Sequence, residues 1–389
     1  MACELQQWLL SLPKVELHVH LDGAFDHDFL FHSAREKLET LPLEVESAVT
    51  GKAMPLKASL SSCKSLEEFE KLITCRGQRS LQAMLDCFSR FLPCVRGDMQ
   101  GLEELSYRFV AAQARQNIVY TEVRYSPHLL MDGEYFAEGG DDPEPAIAAV
   151  TRGLRRGCCE HGIIVNQILC CISFQASWSM PIIQLAEKYR SAYPCAVVGV
   201  DVAAGEVGDD PTEHADAFEK AKELGLKVTL HAGEVGGPDN VRHAAFDFHA
   251  CRVGHGYAVA SGEEDELLAS LVSHGLHFEV CPTSSDETGA WRYDASAPPW
   301  PQHPLQRMLG AGASVSINSD DPSVFATTLT EELMLCVSEI GLSREQILQM
   351  TLCALDAAFC SNEEKLAVRQ KIQKFMGKSG DTEKRINGY

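Results

Sequence analysis

An α/β protein closed into a (β/α)8 barrel is what the 389-residue sequence predicts, on three observations. Short β-rich runs alternate with longer helical stretches almost from end to end, there are eight of them, and the glycine fingerprint of an open doubly wound sheet is missing. Gly310-Ala-Gly312 lacks the third glycine and leads into a strand, so it reads as a turn.

The runs are 15–21 (VELHVHL), 119–126 (VYTEVRYS), 163–172 (IIVNQILCCI), 197–203 (VVGVDVA), 227–232 (KVTLHA), 252–257 (RVGHGY), 277–281 (HFEVC) and 314–319 (SVSINS). Helical connections fall at 99–116, 144–161, 213–224 and 262–274, with apolar spacing such as Leu102, Leu105, Phe109 and Val110. The stretch 23–118 between the first two strands is the main departure from alternation and reads as a helical insertion. Within it Leu81, Met84, Leu85, Phe88 and Leu92 form one helical face, suited either to ordinary packing or to a lid over the barrel mouth. Two helical segments follow Ser343. The expected organisation is one barrel domain over 1–377, with extra helices after strand one and at the C-terminus, and a polar tail over 378–389.

Bulk properties narrow the partners. A formal net charge of −21 repels nucleic acid. No run of about 18 apolar residues offers a membrane span. Met1 to Leu12 has no basic region of the kind that opens an export signal, and no Asn-x-Ser/Thr acceptor occurs. Fifteen cysteines are scattered, several in apolar runs such as Cys170, Cys171 and Cys281, so they read as reduced core residues of a cytoplasmic protein.

The chemistry is expected at the strand ends. His18 and His20 project the same way from the first strand, as do Glu16 and Asp22, because successive strand residues alternate. His231-Ala-Gly-Glu234 closes the fifth strand, His255 lies in the sixth, and Ser319-Asp320-Asp321-Pro322 closes the eighth. Singly, such groups have plain structural readings: a histidine in an apolar strand is usually a satisfied core residue, and Asp-Asp-Pro commonly begins a helix. A barrel, however, gathers all C-terminal strand ends on one rim. That brings His18, His20, His231 and Asp320 together as a ligand set and leaves Glu234 and His255 as acid–base groups. Three imidazoles and a carboxylate suit Zn²⁺, and also Co²⁺ or Fe²⁺. Such a site activates water for hydrolytic attack on an electrophilic carbon.

At these residues the chain resembles the adenosine deaminases of the amidohydrolase superfamily. The stretches that carry the resemblance are Pro13-Lys-Val-Glu-Leu-His-Val-His-Leu-Asp-Gly23, Glu122-Val-Arg-Tyr-Ser-Pro-His-Leu-Leu130, His231-Ala-Gly-Glu-Val235, Gly254-His-Gly-Tyr257, Thr288-Gly-Ala-Trp291 and Asp320-Asp-Pro322. It implies a TIM-type barrel that deaminates adenosine and 2′-deoxyadenosine with one zinc ion held by His18, His20, His231 and Asp320. It further implies that Glu234 protonates purine N1, that His255 orients and deprotonates water, and that His20, Asp22, Ala204 and Asp321 are substrate contacts. Asp321 would face N7, Asp22 the 5′-hydroxyl, and the N–H of Ala204 the purine N3. Asp22 bears on the choice within the superfamily: adenine deaminases tend to carry Glu there and N6-methyl-AMP deaminases Asn, and a carboxylate repels a 5′-phosphate. Deamination of adenine or of an N6-substituted nucleotide is the alternative, and a barrel kept as a binding protein the non-enzymatic one.

Three departures stand out. Asp201-Val-Ala-Ala204-Gly205 has alanine where the family has the glycine of Asp-Leu-Ala-Gly, so its methyl group should crowd the base or demand a milder backbone angle. Asp286-Glu287 replaces residues that are often bulky and apolar. The segment 57–85 looks long.

Overall fold

A computed structural model describes residues 2–47, 51–132, 142–206, 212–262 and 264–378. Its eight-stranded sheet comprises β1 (Lys14–His20), β2 (Ile118–Tyr125), β3 (Ile164–Ile172), β4 (Val197–Ala203), β5 (Lys227–Ala232), β6 (Arg252–His255), β7 (His277–Val280) and β8 (Ser314–Ile317). Every neighbouring pair from β1 to β8 is parallel. Closure comes from a parallel bridge between Val19 and Asp320. There His20 N donates to Asp320 O at 2.8 Å and Asp320 N to His18 O at 3.1 Å. The seam of the barrel therefore sets three of the expected ligands side by side. The expected (β/α)8 architecture is the one observed.

Strands buried on both faces read as nearly continuous apolar runs, and all eight residues of β2 are buried. Helices cover the outside, as between Met99–Arg115 and Glu144–His161. Their approach needs glycine: a Cβ on Gly153 would lie 2.1 Å from Glu103 O, and one on Gly157 2.6 Å from Val110 Cβ. The runs expected over 252–257 and 314–319 stop at His255 and Ile317. Positive φ at His255 (66°) turns the chain out of the sheet there, and beyond Ile317 the chain meets β1 again through the bridge at Asp320 (φ 61°).

The insertion between β1 and β2 holds helices His27–Glu36, Leu56–Ser62, Leu66–Ile73 and Leu81–Phe91 ahead of the regular crossover helix Met99–Arg115. It also contains a short antiparallel hairpin, Glu44–Glu46 with Ala53–Pro55, which the helical reading did not anticipate. Two helices, Arg344–Ala357 and Asn362–Lys378, finish the described chain. Of the polar tail expected from 378, residues 379–389 lie outside the described residues. Among the described residues no helix is long and apolar enough to cross a membrane. The described cysteines are free thiols.

Candidate active site

Four ligand atoms, one each from His18, His20, His231 and Asp320, lie within 4.8 Å of one another at the C-terminal rim. His20 Nε2 is 3.2 Å from His231 Nε2, and Asp320 Oδ1 is 3.1 Å from His18 Nε2 and 3.4 Å from His20 Nε2. The local fold of β1 makes this convergence possible. Its pairing with β2 shifts register between Glu16 and Val19, and Asn318 Oδ1 accepts the amides of Leu17 and His18 at 2.9 and 3.1 Å. That irregularity corrects the expectation that Glu16 shares the histidines' direction. Glu16 instead accepts from Ser319 N and Oγ (3.0 and 2.6 Å) and from Gln113 Nε2 (2.7 Å) on the outer helix.

Beneath the ligands the barrel interior holds a chain of buried charges. Glu279 Oε2 takes His18 Nδ1 at 2.9 Å, and Asp201 Oδ2 takes His231 Nδ1 at 3.0 Å. Arg124 joins the two carboxylates, 2.7 Å from Asp201 and 2.6 Å from Glu279. Arg252 continues the chain, 2.6 Å from both Glu279 and Glu122. The His18 and His231 imidazoles thus each set Nδ1 against a carboxylate and present Nε2 to the centre, as metal-ligating histidines do. Burial opposes ionisation of Asp201, but the His231 and Arg124 charges hold it down at about 2. Glu122, Asp201, Glu279 and Asp320 outnumber the two guanidiniums by two negative charges, which a divalent cation would balance. His18 Nε2 is buried in the same place and, among the described residues, has no polar neighbour beyond the other candidate ligands to satisfy it. The donor set therefore fits a metal ion.

Above the ligands opens a cavity of about 840 Å³, including its mouth, lined by His20, Asp22, Glu234, His255, Asp320 and Asp321 among others. His255 Nε2 lies 3.7 Å from Glu234 Oε2 and 3.9 Å from Asp320 Oδ2. Burial, with the Asp320 charge adding to it, pushes Glu234 up to about 8, so its carboxyl group keeps its proton at neutral pH. Burial lowers the His255 imidazole well below its ordinary value, leaving it neutral. It also raises Asp22 to about 7 and, with Asp320 nearby, Asp321 well above the carboxylate range. Asp22 reaches the cavity from the turn Asp22–Ala24, since β1 ends at His20. Gly23 makes room for Asp321, because a Cβ there would lie 1.8 Å from Asp321 Oδ1.

Ala204 also lines the cavity, at φ 60°. The milder angle considered for an alanine is not adopted; the residue takes the left-handed conformation, which costs a non-glycine residue about 1 kcal/mol. The apolar face of Leu81–Phe91, ambiguous in sequence, supplies Leu81, Met84, Leu85 and Phe88 to the cavity wall. The two acidic residues at 286 and 287 hold the loop leading into that helix. Asp286 pairs with Arg79, Glu287 accepts from Gly77 N, and Arg79 Nη2 donates to Trp291 O at 2.7 Å.

Sequence reasoning gave no role to Arg124, Asp201 and Glu279, which hold the candidate ligands His18 and His231 in place, nor to Arg96, which lines the cavity near Asp22. The available signal was charge at inward strand positions two residues apart, as in Glu122/Arg124 and His277/Glu279. Glu206, described below, carried no such signal.

Residues 13–375 match the family described as Adenosine deaminase. The chain is 32% identical to adenosine deaminase of Mus musculus over 369 residues, covering 92% of this chain and 96% of that one. Among solved structures it is similar to the Arabidopsis N6-mAMP deaminase, with 25% identity, a TM-score of 0.76, and coverage of 95% and 99% of the two chains. A zinc-bound amidohydrolase from Burkholderia ambifaria shares the fold at a TM-score of 0.77 and 24% identity, over 96% and 93% of the chains.

Proposed function

The chain belongs to the adenosine deaminase family and is a hydrolytic deaminase, and from that premise we propose that it converts adenosine and 2′-deoxyadenosine to inosine and 2′-deoxyinosine with release of ammonia. The observation that carries the reading is a three-histidine, one-aspartate cluster opening onto the same cavity as the buried Glu234 carboxyl group, which burial pushes up to about 8.

His18, His20, His231 and Asp320 would hold one zinc ion, which when bound supplies Lewis-acid activation of water. His255, neutral because it is buried, has a ring nitrogen able to take a proton from that water. Glu234 gives its proton to purine N1, which draws electrons from C6 and opens it to addition of water. The proton taken up by His255 passes to the amino group, which leaves C6 as ammonia, and the added hydroxyl returns its proton to the Glu234 carboxylate as the C6 carbonyl forms. Asp321, held protonated, donates to N7, while the N–H of Ala204 meets N3 and Asp22 receives the 5′-hydroxyl. No residue assigned here reads the 2′-hydroxyl, so both sugars are accepted. The free thiols accord with a reducing compartment, and we assign the activity to the cytoplasm.

One observation favours a second reading. Arg96 lines the cavity and its charge acts on Asp22, so the sugar end of the site is not purely acidic. A 5′-phosphate would find a guanidinium there. Comparing turnover of adenosine, 2′-deoxyadenosine, adenine, AMP and N6-methyl-AMP by zinc-loaded protein tests both. Adenosine is expected to be fastest; a nucleotide outpacing it, or no adenosine turnover at all, overturns the proposal.

A further inference from the structure

Glu206 follows the turn that carries Ala204 and bonds almost exclusively to a different turn, the one that carries Glu234. Its Oε1 accepts the backbone amides of Glu234, Val235 and Gly236 at 2.8, 2.8 and 2.9 Å. Its Oε2 accepts Gly233 N at 2.7 Å and Asn240 Nδ2 at 2.9 Å. One carboxylate thus gathers four consecutive amides and a side-chain amide, in a group only 9% exposed. Hydrogen bonds to a charged acceptor are about twice as strong as neutral ones, so this is a firm tie. The surroundings are shaped for it: Gly233 adopts φ 69°, and a Cβ on Gly236 would lie 2.6 Å from Glu206 Oε2.

We infer that Glu206 is a positioning residue that straps the β4 turn to the β5 turn and fixes the span between Ala204 and Glu234. The role rests on the proposed reading of the site, in which the Ala204 amide meets purine N3 and the Glu234 carboxyl meets N1. Those two atoms flank one carbon of the same rigid ring, so the two protein groups must keep a constant separation. Neither turn is regular secondary structure. The strap supplies the rigidity that a strand or helix would otherwise give, and a misplacement of about 1 Å in such a contact can reduce rate about 100-fold.

The test is a double-mutant cycle on the zinc-loaded full chain with adenosine. Glu206→Gln keeps the volume but turns an NH2 group towards amide donors, and is expected to lower kcat/KM 10- to 100-fold, chiefly through kcat. In a Glu234→Gln background the same change is expected to lower the residual single-turnover rate less than threefold, because the group it positions is already disabled. Equal losses in both backgrounds would mean that Glu206 merely supports the fold, and an unimpaired E206Q would mean that the strap is idle; either overturns the role. Should E206Q not fold, Glu206→Asp keeps the charge, draws the oxygens back by one methylene, and is held to the same two comparisons. Wild-type protein inactive on adenosine overturns the substrate reading, whereas active wild type with unimpaired E206Q overturns only the strap.

Discussion

Glu279 Oε2 lies 2.9 Å from His18 Nδ1, and the same oxygen takes Arg124 Nη2 at 2.6 Å. A candidate metal ligand on β1 is therefore oriented by a carboxylate on β7, itself fixed by a guanidinium from β2. All three side chains are buried, so their charges are compensated only by one another and by the buried Asp201 and Arg252 beside them. Glu279→Gln removes the charge that makes Nδ1 a firm donor and leaves Arg124 and Arg252 short of an anion. Metal affinity is expected to fall 10- to 100-fold, as for other outer-shell partners, and stability by about 3 kcal/mol. Metal retained against a competing chelator and the thermal midpoint check the two effects; unchanged metal retention would remove Glu279 from this role.

Glu234→Gln separates chemistry from metal binding. Glutamine fills the same space but cannot deliver the proton, and Glu234 is not among the four clustered ligands. Zinc content is expected to stay at one per chain while kcat/KM on adenosine drops at least about 100-fold, the scale of a lost general acid. Retained turnover would reassign the proton donor.

The eight barrel strands were legible because both faces of each are buried, which writes them as short apolar runs. The clustering of the candidate ligands was legible because residues such as His18 and Asp320 interrupt those runs at their C-terminal ends, where the fold gathers them. Glu16 was misread because strand alternation holds only while register does, and the shift before Val19 breaks it. The Leu81–Phe91 helix stayed ambiguous for a different reason. Apolar periodicity says that a face is covered, and the wall of a cavity covers it as well as a core does. Glu206 was invisible, since its partners are backbone amides and no side-chain pattern records them.

Ala204→Gly tests the departure at the proposed purine contact. At φ 60° glycine is free of the left-handed penalty of about 1 kcal/mol, but it also gains freedom in the unfolded chain worth a similar amount. Folding stability should therefore move by less than about 1 kcal/mol. The missing methyl group clears the cavity wall, so KM for adenosine is expected to fall severalfold with kcat nearly unchanged. Steady-state kinetics on both proteins decides it, and a raised KM would show that the methyl group assists binding.

Glu332 offers a pH test away from the metal cluster. It is 1% exposed, accepts Thr283 N at 2.9 Å and Thr327 Oγ1 at 2.6 Å, and ties the short helix Pro282–Glu287 after β7 to the helix Leu329–Leu335. Burial outweighs these hydrogen bonds and raises its carboxyl group to about 7, from an unfolded value near 4.5. The folded chain thus holds this proton more tightly than the unfolded chain does. Its contribution to stability is full below about pH 4.5, declines as pH climbs to about 7, and is lost above that. Glu332→Gln carries no proton to lose, and its amide can still accept from Thr283 N and donate to Thr327 Oγ1. The difference in thermal midpoint, variant minus wild type, is expected to rise between pH 5 and 8 and then level off. A flat difference across that range would mean that Glu332 ionises as readily in the folded chain as in the unfolded one, contrary to what its burial requires.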